Sequence, residues 1–209
     1  QVAASIGAAQ ADGVIFTAGG TESDNTALIG LATAGGRASG HIIVSSFEHH
    51  AVLEPAWWLG KHGFEVTELA PRADGVVHPD DLAAALRDDT ILVSIMHGNN
   101  EIGTLQPIPE LAAVAHARGA LFHTDAAQTL GKVDFEVTAL GVDAASFSGH
   151  KIYGPKGTGA LYLKRGTRLA PYLIGGGQES KRRSGTQNVA GNVGFATALS
   201  LMDAERPDV

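Results

Sequence analysis

The 209-residue sequence contains no cysteine, which excludes a disulfide framework, thiolate metal ligands and a thiol nucleophile from within it. Long apolar runs are missing too, since nowhere do ~18 successive residues suit a bilayer core. The segment that opens at Gln1 reads as amphipathic, with no basic region leading into an apolar one. Nothing therefore marks the chain for export, and a soluble, cytoplasmic protein is expected. Basic residues are in the minority, 15 against 22 acidic, for a net charge of −7. That balance disfavours a nucleic-acid backbone as ligand. The short run Lys181-Arg182-Arg183 is the local exception and reads as a solvated loop. Neither G-x-x-x-x-G-K-[ST] nor G-x-G-x-x-G occurs, so the usual nucleotide fingerprints are absent. The nine histidines include no H-x-x-x-H helical pair, and with no thiol to complete a site no metal is expected.

What is present is a chain that is 44% hydrophobic, long enough for one good core and a domain or a little more. Apolar, branched runs at 13–18, 41–45, 64–69, 90–96 and 120–124 alternate with helix-period segments at 21–33, 51–62, 79–87 and 108–117. Two more strands are expected at 144–148 and 158–163, and a closing helix at 188–203. Strands alternating with helices of this length argue an α/β fold, a doubly wound and mostly parallel sheet covered on both faces. Ligands of such sheets gather beyond the carboxyl ends of the strands, and Thr21, His49, Asn100, Asp125 and Lys151 all follow expected strands.

The most informative stretch runs Ser146-Phe147-Ser148-Gly149-His150-Lys151-Ile152-Tyr153-Gly154-Pro155-Lys156-Gly157. A lysine held between a strand and a glycine-rich turn, with hydroxyl and imidazole groups just before it, suits an amine that forms an imine with pyridoxal phosphate (PLP). That chemistry needs a fixed backbone, phosphate donors and an acid to keep the ring nitrogen protonated. Asp125, in His123-Thr124-Asp125-Ala126-Ala127-Gln128, offers the acid. An ordinary surface lysine is the alternative, and the small and polar neighbours Ser148, His150, Gly154 and Gly157 weigh against it. Gly19-Gly20-Thr21-Glu22-Ser23 leads from a strand into a helix, where free N–H groups and the helix dipole favour a phosphate. Thr21 acting as a plain helix cap is compatible with that use.

Six segments taken together resemble the cysteine desulfurases of the bacterial iron–sulfur assembly and nitrogen-fixation type, a branch of the class-V PLP-dependent aminotransferases. They are Phe16-Thr17-Ala18-Gly19-Gly20-Thr21-Glu22-Ser23-Asp24-Asn25, Glu48-His49-His50-Ala51-Val52, Asn99-Asn100-Glu101-Ile102-Gly103, Asp125-Ala126-Ala127-Gln128, the lysine string, and Arg183-Ser184-Gly185-Thr186. The resemblance covers nearly the whole chain. It implies that Lys151 carries the cofactor, that His49 stacks on its ring and that Asp125 contacts its pyridinium nitrogen. Asn100 and Gln128 would face the phenolic oxygen, while Gly20, Thr21, Ser148 and His150 would serve the phosphate. Without the resemblance, an Asx turn and a helix-end polar residue are plausible readings of Asn100 and Gln128. Gly20 stands where alanine is usual in the family. Thr186 matches a threonine that reaches the neighbouring subunit's cofactor, which implies a homodimer with shared sites.

The implied reaction takes L-cysteine to L-alanine and passes sulfur, as an enzyme persulfide, to acceptor or scaffold proteins. Its nucleophile is a cysteine on a mobile loop beyond the lysine. Residues 1–209, without any cysteine, are thus expected to be the PLP-binding large domain of a longer enzyme and inactive alone. Two rivals stay open. One is another class-V PLP enzyme such as a selenocysteine lyase, a C–S lyase or an aminotransferase; the other is a truncated, non-catalytic interaction protein, which would have no use for Lys151 and Asp125 together.

Overall fold

The computed structural model describes residues 1–205. Seven strands form one sheet: β1 (Val14–Thr17), β2 (Gly40–Ser45), β3 (Phe64–Leu69), β4 (Thr90–Ser94), β5 (Leu121–Asp125), β6 (Ala144–Ser148) and β7 (Gly159–Leu163). The helices are α1 (Val2–Ser5), α2 (Gly20–Ala32), α3 (His50–Gly60), α4 (Pro79–Ala85), α5 (Ile108–Ala117), α6 (Val137–Leu140) and α7 (Val189–Glu205). Strand order is β1-β7-β6-β5-β4-β2-β3. All neighbouring pairs are parallel except the two that β7 makes with β1 and β6. The doubly wound, mostly parallel sheet expected from the sequence is therefore present. Antiparallel β7 is explained by its connection: residues 149–158 contain only a single 3-10 turn, too little for a parallel crossover.

Successive strand residues face opposite sides of the sheet, which divides the core in two. Ile42, Val44, Leu92, Ala144 and Leu161 pack against Leu28 and Leu31 of α2 and Val52 and Leu59 of α3. Ile43, Val93, Phe122, Phe147 and Ala160 meet Leu82 of α4, Leu111 of α5 and Phe195 and Leu199 of α7 on the other side. On the α2 side the apolar alternation gives way to polar residues toward the carboxyl ends of the strands. Leu92 is followed by Ser94, Leu121 by His123 and Asp125, and Ala144 by Ser146 and Ser148, all buried except half-buried Leu121. The fold thus seats a buried polar layer beneath the start of α2. Among the described residues no helix is long and apolar enough to cross a membrane.

Candidate active site

A cleft of about 790 Å³ opens at the carboxyl ends of β1, β2, β4, β5 and β6. Its lining includes Gly20, Thr21, His49, Asn100, Asp125, Gln128, Ser148, His150 and Lys151. Nine of the ten site residues expected from the sequence therefore converge on one cavity. Thr186 does not line it and lies exposed at the surface.

The wall beside β1 is made by backbone. Gly19, with φ 152°, is the N-cap of α2 and makes no side-chain cap; the conformation favours glycine. Thr21 is therefore not the cap but an exposed residue of the first turn. The first three N–H groups of α2, from Gly20, Thr21 and Glu22, have no acceptor within the helix and face the cleft end. Close packing holds this loop down: a Cβ on Gly159, the first residue of β7, would lie 2.7 Å from Gly19 Cα. A Cβ on Gly20 would meet that of Ser148 at 3.3 Å, so the glycine gives Ser148 room.

Lys151 sits in a 3-10 turn, Gly149–Ile152, that follows β6 directly. Gly149 N–H donates to Thr158 O at 3.0 Å and Gly154 N–H to Gly149 O at 2.9 Å, closing the loop on itself. Tyr153 ends the turn in the left-handed region, φ 61°, a strained backbone for a non-glycine residue of the kind that clusters at sites needing a fixed geometry. Ser148 Oγ and His150 Nδ1 are 3.0 Å apart.

Opposite, Asp125 ends β5 and is 6% exposed. Its Oδ1 accepts the Ala127 N–H at 2.8 Å, and no hydrogen bond of the described residues reaches Oδ2. Burial raises the carboxyl above its usual range, while the Ala127 N–H, the His49 ring and the Lys151 amine pull the other way. His49 caps α3, its Nδ1 accepting the Ala51 N–H at 3.0 Å; the neutral ring then keeps its proton on Nε2. The Asx turn of the 99–103 loop is made by Asn99, whose Oδ1 accepts from Glu101 and Ile102 N–H at 2.8 and 2.9 Å. Asn99 Nδ2 also donates to Phe47 O at 3.0 Å, tying this loop to the one that carries His49. Asn100 is thereby left exposed at the cleft. Nothing in the local sequence distinguished the two asparagines.

The basic run at 181–183 is solvated only in part: Lys181 is exposed, while Arg182 and Arg183 are half-buried and hydrogen-bonded. Arg183 forks onto Glu22, Nε to Oε1 at 2.6 Å and Nη2 to Oε2 at 3.0 Å, with both side chains largely buried. Glu22 Oε2 also accepts the Ala18 N–H at 2.8 Å, and Glu179 Oε2 accepts that of Phe16 at 3.2 Å. Carboxylates thus satisfy the free edge of β1, which pairs only with β7. These bonds also restrain Glu179, Ser180 and Lys181, three successive residues with φ of 48°, 56° and 65°. Arg183→Ala is expected to cost about 1–3 kcal/mol by urea denaturation, the range for a charge-assisted, partly buried bond. A double-mutant cycle with Glu22→Gln should recover most of that as coupling; additive losses would show that the fork contributes nothing.

The aminotransferase class-V family matches residues 1–207. The chain belongs to that family. Cysteine desulfurase IscS of Dictyoglomus turgidum is 54% identical over 201 residues, 96% of this chain and 51% of that protein. The putative cysteine desulfurase IscS 1 of Bacillus subtilis is 48% identical over 208 residues, 100% of this chain and 55% of its own length. Among solved structures, a NifS-like protein has a TM-score of 0.93 at 41% identity, over 98% of this chain and 56% of that one. SspA in complex with cysteine has a TM-score of 0.92, also at 41% identity, over 100% and 59%. These relatives bear out the resemblance to IscS- and NifS-type desulfurases. The chain spans about half the length of the curated relatives it matches.

Proposed function

We propose that this protein is a PLP-dependent cysteine desulfurase, with Lys151, Asp125 and His49 as its catalytic residues. The observation that carries the reading is the single cleft into which Lys151 and Asp125 come from neighbouring strand ends, with the free N-terminus of α2 on its wall. The donor set fits the cofactor. N–H groups of the first turn of α2 with the hydroxyls of Thr21 and Ser148 and the ring of His150 suit a phosphate, and the unengaged Oδ2 of buried Asp125 suits a cationic ring nitrogen.

PLP, when bound, draws the electrons released at the amino acid's α-carbon into its ring. Asp125 holds a proton on the ring nitrogen by its negative charge. Lys151 would anchor the cofactor and, as a free amine, would serve as the base that takes the proton from the α-carbon. The His49 ring would stack on the cofactor, and the amides of Asn100 and Gln128, which line the same cleft, would meet its phenolic oxygen. Thr186 would complete the phosphate site of a partner subunit in a homodimer, which agrees with its surface position away from this chain's own cleft.

For the reaction as a whole, a thiol attacks the sulfur of L-cysteine, the Cβ–S bond breaks, and the products are L-alanine and an enzyme persulfide. Sulfur then passes to acceptor proteins for iron–sulfur assembly in the cytoplasm. Residues 1–209 hold no cysteine and are read as the PLP-binding large domain, so the thiol must come from outside them and these residues alone do not turn over. The second reading is a class-V enzyme with other chemistry, which the lack of such a thiol in the whole protein would favour. The test is to supply L-cysteine to the longest native form of the protein. Equimolar alanine and reducible sulfur is the expected result, while amino-group transfer to a 2-oxo acid without sulfur release would favour the aminotransferase reading.

A further inference from the structure

On the floor of the cleft and behind it lie two carboxyl groups that the reaction leaves without a role. Asp24 of α2 and Glu48 of the loop after β2 are 1% and 6% exposed, as deeply buried as Asp125. Glu48 Oε1 accepts the Ser45 hydroxyl and the Met96 N–H, each at 2.6 Å, yet its Oε2 is buried with no hydrogen bond. Asp24 Oδ1 is likewise buried without one; the Ser146 hydroxyl acts on this carboxyl in favour of its charged form, but burial and the charges of Asp125 and Glu48 outweigh it. The ring nearest Asp24 is that of His123, whose Nε2 lies 3.8 Å from Oδ1 and 2.9 Å from Ser146 Oγ, with Nδ1 2.8 Å from Ser94 Oγ. Burial pushes this imidazole down to about 3, so it brings no positive charge.

The charges facing the three acids are unequal. Glu48 and Asp24 each face Asp125, and Asp24 faces Glu48 as well, whereas of the three acids only Asp125 has the Lys151 amine and the His49 ring acting on it. Three carboxylates cannot all ionise in one desolvated place. The free oxygens of Glu48 and Asp24 are shut off from solvent, whereas Asp125 lines the cleft and has the Lys151 amine acting on it. A carboxylate oxygen buried without a partner costs far more than the same oxygen in a neutral acid, so the protons fall on Glu48 and Asp24.

We propose that Glu48 and Asp24 stand as neutral carboxylic acids, positioning residues that confine the site's negative charge to Asp125. The proposal rests on the reading of Asp125 as the partner of a cationic ring nitrogen. An ionised Glu48 would set a second negative charge beside Asp125, favour its protonation and so loosen its hold on that nitrogen. Burial pushes the Glu48 carboxyl up to about 8. Its stabilising contribution is then fully present below the ordinary glutamate range and is lost as the pH rises through about 8, because the unfolded chain releases the proton first.

The experiment follows carboxyl ¹³C resonances and urea midpoints of the cofactor-free native protein across pH, for the wild type, Glu48→Gln, Glu48→Ala and Asp24→Asn. A carboxyl signal that shifts only in alkaline solution and vanishes in Glu48→Gln is expected. The wild-type midpoint should fall as the pH rises toward that transition, and Glu48→Gln should flatten the fall. At neutral pH Glu48→Gln should keep the wild-type PLP dissociation constant, while Glu48→Ala, which strands the Ser45 and Met96 donors, loses stability at every pH. Asp24→Asn should remove a second high-titrating signal. A Glu48 resonance that titrates in the ordinary carboxylate range, or a Glu48→Gln midpoint with the wild-type pH slope, overturns the proposal. If the titrations come out as expected but the wild type binds no PLP, the cofactor reading fails instead, and with it the role given to Asp125.

Discussion

Lys151→Ala should leave no cofactor that borohydride can fix to the protein, whereas the wild type should carry reduced PLP on the peptide containing Lys151. The backbone prepares the amine for this task. The turn that holds it is closed by the Gly149–Thr158 and Gly154–Gly149 hydrogen bonds, and a Cβ on Gly149 would come within 2.5 Å of Thr158 Oγ1, so the turn has no slack. Two other lysines could compete. Lys156 lines the same cleft, and Lys132 lies near enough for burial and the charge of Lys151 to lower its own pKa. Neither is in the tight turn after β6. Lys156→Ala and Lys132→Ala are therefore expected to retain the fixed cofactor. Because no other group can supply the covalent route, Lys151→Ala should also cost about 10⁴-fold or more in turnover, with an unchanged circular dichroism spectrum. Reduced cofactor on Lys156 or Lys132 in the wild type, or on no lysine, would sink the assignment.

The strands were legible because both faces of this sheet are buried. Ile42-Ile43-Val44 or Leu92-Val93 reads as a continuous apolar run, and a helix-period segment after each run sets the direction of the next strand. Direction in turn placed Thr21, His49, Asn100, Asp125 and Lys151 at one end of the sheet. Local chemistry was less readable. Thr21 looked like a helix cap, but Gly19 with its positive φ takes that position. The run at 181–183 looked solvated because its partners, Glu22 and Asp12 O, lie more than 150 residues away. Partners distant in sequence hid Asp24 and Glu48 as well. Each stands in a motif as an ordinary polar residue, and only the packing of α2 over β5 and β6 removes Asp24 from water. Burial of a charge is a property of the assembled fold, so composition and periodicity carry no trace of it.

Asp125→Asn should separate stability from function. The change is nearly isosteric, and the amide oxygen can still accept the Ala127 N–H that Oδ1 accepts at 2.8 Å. What changes is the charge, and the group on the other side, where an amide nitrogen donates in place of an accepting oxygen. Burial already raises this carboxyl in the cofactor-free protein. A raised carboxyl contributes stability that is present at low pH and lost as the pH rises through its folded value, so at neutral pH it is a net burden that the amide relieves. The urea midpoint of the cofactor-free variant is therefore expected to equal or exceed that of the wild type, with a smaller decline toward alkaline pH. Function should move the opposite way. A ring nitrogen facing a neutral amide donor has nothing to hold its proton, and the electron sink needed at the α-carbon is weakened. Exchange of the α-proton of a bound amino acid for deuterium, followed by NMR in the native protein saturated with PLP, should fall by about 10²-fold or more. Exchange at the wild-type rate in the variant would show that Asp125 does not govern the ring nitrogen. A midpoint well below the wild type's would show that its charge serves the fold rather than the reaction.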